Sequence, residues 1–308
     1  MSTGLLSLRH RACRGIGLAL FIGLAAQGVA AIRVVTTTSM VTDLVRQVGG
    51  EGVRVEGLMG PGVDPHLYKA APSDLLKLQR ADAIFYNGLM LEGKMADLFT
   101  RLARTKRHVY AITASVPLDQ LLQPPAFEGH PDPHVWFDVA LWSRCVDAVV
   151  DGLSAADPSN RASYVARGTE VRTRLAGLHA WALAKAGELP AERRILITSH
   201  DAYNYFGRAY GFQVIGLQGI STVSEAALSD MARLVDFIRA KAVKAIFVES
   251  SVPHATIERI AEDAKVRIGG ELFSDAMGTP GQMENGYDLG SYEGMVKHNL
   301  TTIVEALK

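Results

Sequence analysis

One stretch, Asp157 to Leu189 (DPSNRASYVARGTEVRTRLAGLHAWALAKAGEL), limits what this chain can become, because it reads as a single helix and cuts the sequence nearly in half. Asp157 is placed to cap free N–H groups, and Pro158 fits a first turn that needs no intrahelical donor. Gly187 and Pro190 mark the exit. Between these marks Tyr164, Val171, Leu175, Leu178 and Ala182 form one apolar stripe at helical spacing. Such a helix would be roughly 45 Å long at about 1.5 Å per residue, far beyond an ordinary three turns. It either joins two lobes or lies inside one α/β domain. The flanks favour two lobes, since each repeats a strand and helix alternation able to close its own core, and 308 residues exceed the usual single-core size. The expected boundaries are 1–30, 31–156, 157–189 and 190–308: leader, N-terminal α/β lobe, linker helix and C-terminal α/β lobe.

The leader is a secretory signal peptide by pattern. Arg9, Arg11 and Arg14 precede an apolar run from Gly15 to Ala26, and Gly28-Val29-Ala30 offers small residues for cleavage. An uncleaved anchor is the rival, but the run is shorter than the roughly 20 residues that span a bilayer. Cys13 lies ahead of the run instead of behind it, so no lipid anchor is expected. The mature chain then starts near Ala31 and is free in the periplasm. Cys145 is the one cysteine left, which excludes an internal disulfide, and its setting VALWSRCVDAVV suits a buried thiol. Thirty-two basic and 32 acidic residues cancel, and without a basic stripe no nucleic-acid partner is expected. No G-x-x-x-x-G-K occurs, nor a G-x-G-x-x-G after a strand, so neither half reads as a nucleotide-binding domain.

In chain order, IRVVTTT (32–38) and VRVEGL (53–58) are strand-like, with a helix between them over 39–48. The loop GPGVDPHLYKAAPSD follows, then a helix from Pro72 and short strands at 83–87 and 108–112. A second Pro-rich loop, QPPAFEGHPDPHVWFD, leads to a helix over 139–153. After the long helix the pattern restarts: strands at 195–200 and 213–217, a helix over 224–241, strand KAIFVES, a helix from Pro253, strand VRIGGELF and a terminal helix over 292–307. This βα series implies an α/β fold with a mostly parallel sheet covered by helices in each lobe. The glycine-rich stretch 278–290 is the longest one expected to be irregular, and the candidate for a mobile element.

Nine histidines are sorted by one filter, location at the carboxyl end of a strand, where open α/β sheets bind ligands. His66 and His134 both occur as Asp-Pro-His, at Asp64-Pro65-His66 and Asp132-Pro133-His134. Proline stiffens the loop, and the nearby carboxylate is placed to orient a ring nitrogen. His200 ends ILITSH, and Asp275 follows VRIGGELF in the turn SDAMG. Two imidazoles from one lobe, with an imidazole and a carboxylate from the other, would make an N3O site for a divalent transition metal between the lobes. Taken singly, each histidine reads equally well as a hydrogen-bonded loop residue, and Asp275 as a helix cap. His130, four residues before His134, is a candidate entrance ligand or a plain loop residue. Glu249 in FVESSVP is either an outer partner or a cap. His108, His179, His254 and His298 read as structural.

The blocks GPGVDPHLYKAAPSDLLKLQRADAIFYNGLMLEG, HPDPHVWFD, ITSHDAYNYFGRAYG, GISTVSEA, AIFVESSVP and GGELFSDAMG resemble, in order and over nearly the whole mature chain, the cluster A-I solute-binding proteins of metal ABC transporters, in their TroA-like branch. The resemblance implies two α/β lobes joined by a rigid helix, with a metal held in the cleft by the positions matched here by His66, His134, His200 and Asp275. It implies Zn²⁺ or Mn²⁺ as cargo, an inner-membrane permease with a cytoplasmic ATPase as partner, a monomer and no enzymatic activity. Zinc-specialised members carry a long His-rich loop where this chain has His130 alone. Many manganese or iron members have Glu where this chain has His200. Three imidazoles and one carboxylate favour zinc on intrinsic affinity, and a bidentate Asp275 would admit manganese. Acid should weaken binding, because ligating imidazoles must lose protons. The rivals from other classes are an exported metallohydrolase, which would need an open zinc position, and a metal-stabilised adhesin.

Overall fold

In the computed structural model, which describes residue 1 and residues 31–105, 108–127 and 129–308, the β-branched run after Ala31 forms β1 (Ile32–Thr36). The expected signal peptide lies, apart from Met1, outside the described residues. After β1 come α1 (Ser39–Gly49), β2 (Val53–Gly57), α2 (Pro72–Arg80), β3 (Ala83–Tyr86), α3 (Ala96–Arg104) and β4 (His108–Ala111). The four strands pair in parallel in the order β2–β1–β3–β4. Parallel pairing aligns their carboxyl ends along one edge, from which the β2–α2 loop departs.

Asp138 accepts the N–H groups of Ala140 and Leu141 and so starts α4 (Val139–Ala156). The long helix is α5 (Arg161–Ala186), 26 residues and about 39 Å. It is shorter than expected at both ends. Asp157 does not cap it; its carboxylate takes the Ser159 and Tyr164 hydroxyls and the Asn160 amide, while Pro158–Asn160 forms a separate 3₁₀ turn. The expected stripe is buried, with Gly168 in the middle of it. A Cβ at Gly168 would lie 2.5 Å from Val150 Cγ2, so glycine is what lets α5 close on α4. Arg167 reaches from α5 to the last carbonyls of α1, at 2.7 Å from Val48 O and 2.6 Å from Gly49 O.

Beyond α5 lie β5 (Ile195–His200), α6 (Asn204–Tyr210), β6 (Gln213–Gln218), α7 (Leu228–Lys241), β7 (Ala245–Glu249), α8 (Ala255–Ala264), β8 (Arg267–Leu272), β9 (Met283–Glu284), β10 (Tyr287–Asp288) and α9 (Tyr292–Leu307). β5 pairs with β6 and β7 with β8, both in parallel, and β5 packs beside β7. Two expectations change. The helix expected from Ser224 begins only at Leu228, which leaves 219–227 irregular. The stretch 278–290 contains a hairpin, because Asn285 and Gly286 adopt φ of 48° and 83°, the left-handed pair a two-residue turn requires. Asp288 Oδ1 closes its base by accepting the Gly281 and Gly290 N–H groups, each at 2.9 Å.

Residues 31–308 form one compact unit. Its largest apolar cluster crosses the midpoint of the chain, joining Val34 and Phe85 to Trp136 and Trp142, to Tyr164 and Leu175 on α5, and to Phe247 and Leu300. Cys145 is buried within it. Among the described residues no helix is long and apolar enough to cross a membrane.

Candidate metal centre

The two Asp-Pro-His tripeptides share one hydrogen-bond pattern, backbone N–H to carboxylate. Asp64 Oδ1 accepts the His66 N–H at 2.8 Å, and Asp132 Oδ1 accepts the His134 N–H at 3.0 Å. Each carboxylate spans its proline to hold the backbone of the histidine two residues on. The rings are treated differently. Asp132 Oδ1 also lies 2.8 Å from His134 Nδ1, whereas the free oxygen of Asp64 accepts the Thr222 hydroxyl at 2.6 Å. His200 is the last residue of β5, and Asp275 follows the end of β8 by three residues. Glu249 closes β7: Oε1 accepts the His200 N–H at 2.8 Å, and Oε2 forms a 2.6 Å ion pair with His200 Nδ1, outside hydrogen-bond angles.

All four residues chosen from sequence converge, with one donor atom from each lying within 4.8 Å of the others. His66 Nε2 is 3.3 Å from His134 Nε2 and 3.6 Å from Asp275 Oδ2; His134 Nε2 is 3.4 Å from Asp275 Oδ1; His200 Nε2 is 3.3 Å from Asp275 Oδ2. A tetrahedron with metal–nitrogen arms of about 2.05 Å has edges of about 3.3 Å. The spacing therefore fits a tetrahedral ion. The alignment fits as well, since both Asp275 oxygens and His200 Nε2 are buried without a hydrogen-bond partner although they face one another at these distances. Their approach without a hydrogen bond fits donors that point at a shared centre instead of at one another, and leaving these buried atoms unsatisfied would be costly. Each Asp275 oxygen faces at least one imidazole, so the carboxylate can reach the centre with one oxygen or two.

Burial opposes charge on every ring, and the carboxylates decide where it is overcome. For His66 burial prevails over the attraction of Asp275 and pushes the pKa down to about 3. For His134 burial is outweighed by Asp132 and then Asp275, which push it up to about 9. His200 is held well above the ordinary imidazole range, because Glu249 and Asp275 overcome its burial. Asp275, despite burial, is held well below the carboxylate range by His200 and His134. A divalent cation at this point would take the place of the positive charge that the neighbouring carboxylates favour on His134 and His200.

His130 is exposed against Phe127 and takes no part in the group. His108 meets the Tyr110 hydroxyl, His254 the Glu249 carbonyl, His298 the Glu284 carboxylate, and the His179 ring lies tilted against that of Tyr210. One contributor escaped the sequence reading. Glu92 is buried and accepts the Thr37 hydroxyl and the Asn87 and Gly88 N–H groups, and the Asn87 amide donates to Pro133 O at 3.1 Å. This pins the residue before His134, and no local motif announces it.

A family model described as zinc-uptake complex component A, periplasmic, matches residues 34–306. The chain is 48% identical over 279 residues to the zinc-binding protein TroA of Treponema pallidum, covering 89% of this chain and 88% of that protein. It is 44% identical over 283 residues to the manganese-binding lipoprotein MntA of Bacillus subtilis, covering 90% of each. Among solved structures it is similar to the periplasmic zinc binding protein TroA from Treponema pallidum, at 47% identity and a TM-score of 0.84, over 90% of this chain and 99% of that one.

Proposed function

The chain belongs to the zinc-uptake complex component A family, and from that premise we propose that it is an extracytoplasmic receptor that captures a divalent transition metal and delivers it to an ABC-type importer. The observation that carries this reading is the convergence of His66, His134, His200 and Asp275 at tetrahedral spacing, with Asp275 left unbonded. These four residues are the metal ligands in our reading. Three imidazoles and a carboxylate favour Zn²⁺ on intrinsic affinity, and the two-oxygen reach of Asp275 admits Mn²⁺ with an enlarged coordination shell. Segments 31–156 and 190–308 act as the two lobes and α5 as their spacer, which keeps closure small.

Four protein donors fill a tetrahedron and leave no position for an activated water, which argues for transport over hydrolysis. The partner is then the permease of a metal importer with its ATPase, met by a monomeric receptor. The Bacillus relative is named a lipoprotein, against the expectation of an unanchored chain. Cys13 precedes the apolar run here, and we read this chain as free in the periplasm after cleavage near Ala31. The mass of the exported protein tests that point. The receptor reading is tested by metal content after purification without chelator, followed by competitive Zn²⁺ and Mn²⁺ titration. One equivalent of metal, with binding lost in His200→Ala, is expected; a wild-type protein that binds neither ion refutes it.

A further inference from the structure

Both Asp-Pro-His loops face the part of the chain beyond α5, but they are braced unequally. The His134 loop is tied there by Asn204 to Asp132 Oδ2 at 3.2 Å, Tyr205 to Asp132 O at 2.9 Å, Trp136 Nε1 to Ser274 O at 3.0 Å and Tyr292 to Trp136 O at 2.6 Å. Among the described residues the loop carrying His66, residues 58–71, has one such hydrogen bond outside the site itself: Thr222 to Asp64 Oδ2 at 2.6 Å. Gly62 approaches the same side without a side chain to hold it; a Cβ there would lie 3.5 Å from Ser250 O. Thr222 sits within irregular 219–227, half-buried, and Asp64 is half-buried too.

We propose that Thr222, acting through Asp64, is the positioning residue that keeps His66 on the metal and sets how long the ion is retained. The proposal rests on the receptor reading above. Asp64 carries the effect because one carboxylate does two things: Oδ1 fixes the His66 backbone and Oδ2 is gripped from across the cleft. With the grip released, loop 58–71 can lift while His134, His200 and Asp275 stay on their braced platform. A lost fourth ligand then speeds dissociation without unfolding anything. This places release at the His66 loop instead of at 278–290, whose hairpin is closed at its base by Asp288 and tied to α1 by the Met277 N–H to Ser39 bond.

The test is stopped-flow release of zinc from the loaded full chain into excess chromogenic chelator. Thr222→Val removes the hydroxyl while keeping the side-chain shape. It is expected to release zinc about fivefold faster, the factor one net hydrogen bond of ordinary strength is worth. Thr222→Ser should restore the wild-type rate, and the metal-free protein should keep its wild-type circular-dichroism spectrum in both. Wild-type release by Thr222→Val overturns the proposal, as does a Thr222→Ser variant as fast as Thr222→Val, or a metal-free Thr222→Val protein whose circular-dichroism spectrum shows lost structure. A wild-type protein with no zinc to release would overturn the receptor reading itself, and the strap with it.

Discussion

The twin Asp-Pro-His turns allow a substitution whose effect depends on pH in a way the geometry fixes. Asp132→Asn keeps an oxygen for the His134 N–H and Nδ1 but removes the charge, and the Asn204 amide can turn its oxygen toward the new NH₂ group. Two effects then oppose each other. Losing a carboxylate behind a ligating imidazole typically weakens metal binding 10- to 100-fold, about 1.4–2.7 kcal/mol. That same carboxylate, however, helps hold the His134 pKa at about 9. At pH 7 a ring of that pKa is protonated about a hundredfold more often than it is free, so displacing the proton costs a binding metal roughly 3 kcal/mol. The sign follows directly. A raised pKa penalises the metal below about pH 9 and ceases to do so above it, and Asp132→Asn relieves the penalty where it exists.

The deficit of Asp132→Asn is therefore expected to be tenfold or more at pH 9 and only a few-fold at pH 7. The slope of log affinity against pH between these values should fall by close to one proton. Zinc competition against a chelator of known proton affinity, at several pH values, reads both quantities. Asp64→Asn is the control: Asp64 holds the His66 backbone, and its other oxygen goes to Thr222, so the pH slope should keep its wild-type value. An Asp132→Asn deficit that is the same at pH 7 and 9, or an Asp64→Asn variant with the same loss of slope, would refute the assignment of the raised pKa to the Asp132 contact.

Three further outcomes are expected. Glu249→Gln offers one acceptor and one donor where His200 presents its N–H and Nδ1, so zinc affinity at pH 9 should drop about tenfold or more, read by the same competition. Arg167→Met removes two charge-assisted hydrogen bonds to the end of α1 and should lower unfolding stability by about 1.5–3 kcal/mol in urea titration, with zinc affinity unchanged. Cys145 is buried, and burial pushes its thiol well above the ordinary range; a thiol reagent should label it only in denaturant, and native labelling on the mixing timescale would contradict the packing.

The four proposed ligands were legible because each is announced locally, whereas the residues that tune them are not. His66, His134, His200 and Asp275 stand where a strand, or a loop stiffened by proline, ends within a few residues, and periodicity finds such places. The long helix was legible for the same reason, although its start was misplaced, because Asp157 had nearer partners in Ser159 and Asn160 than the N–H groups it was expected to cap. The hairpin at 283–288 carries a turn signal in Asn285-Gly286, but its strands are only two residues long, too short for the alternation that marks a strand in sequence. What no local pattern carries is the pairing of Asp64 with Thr222, 158 residues apart, or of His200 with Glu249, 49 apart. Identical tripeptides thus give one imidazole a carboxylate at Nδ1 and tie the other's turn to a hydroxyl from across the cleft. Ligand identity is a property of local sequence; the order in which ligands hold and let go is a property of the long-range contacts behind them.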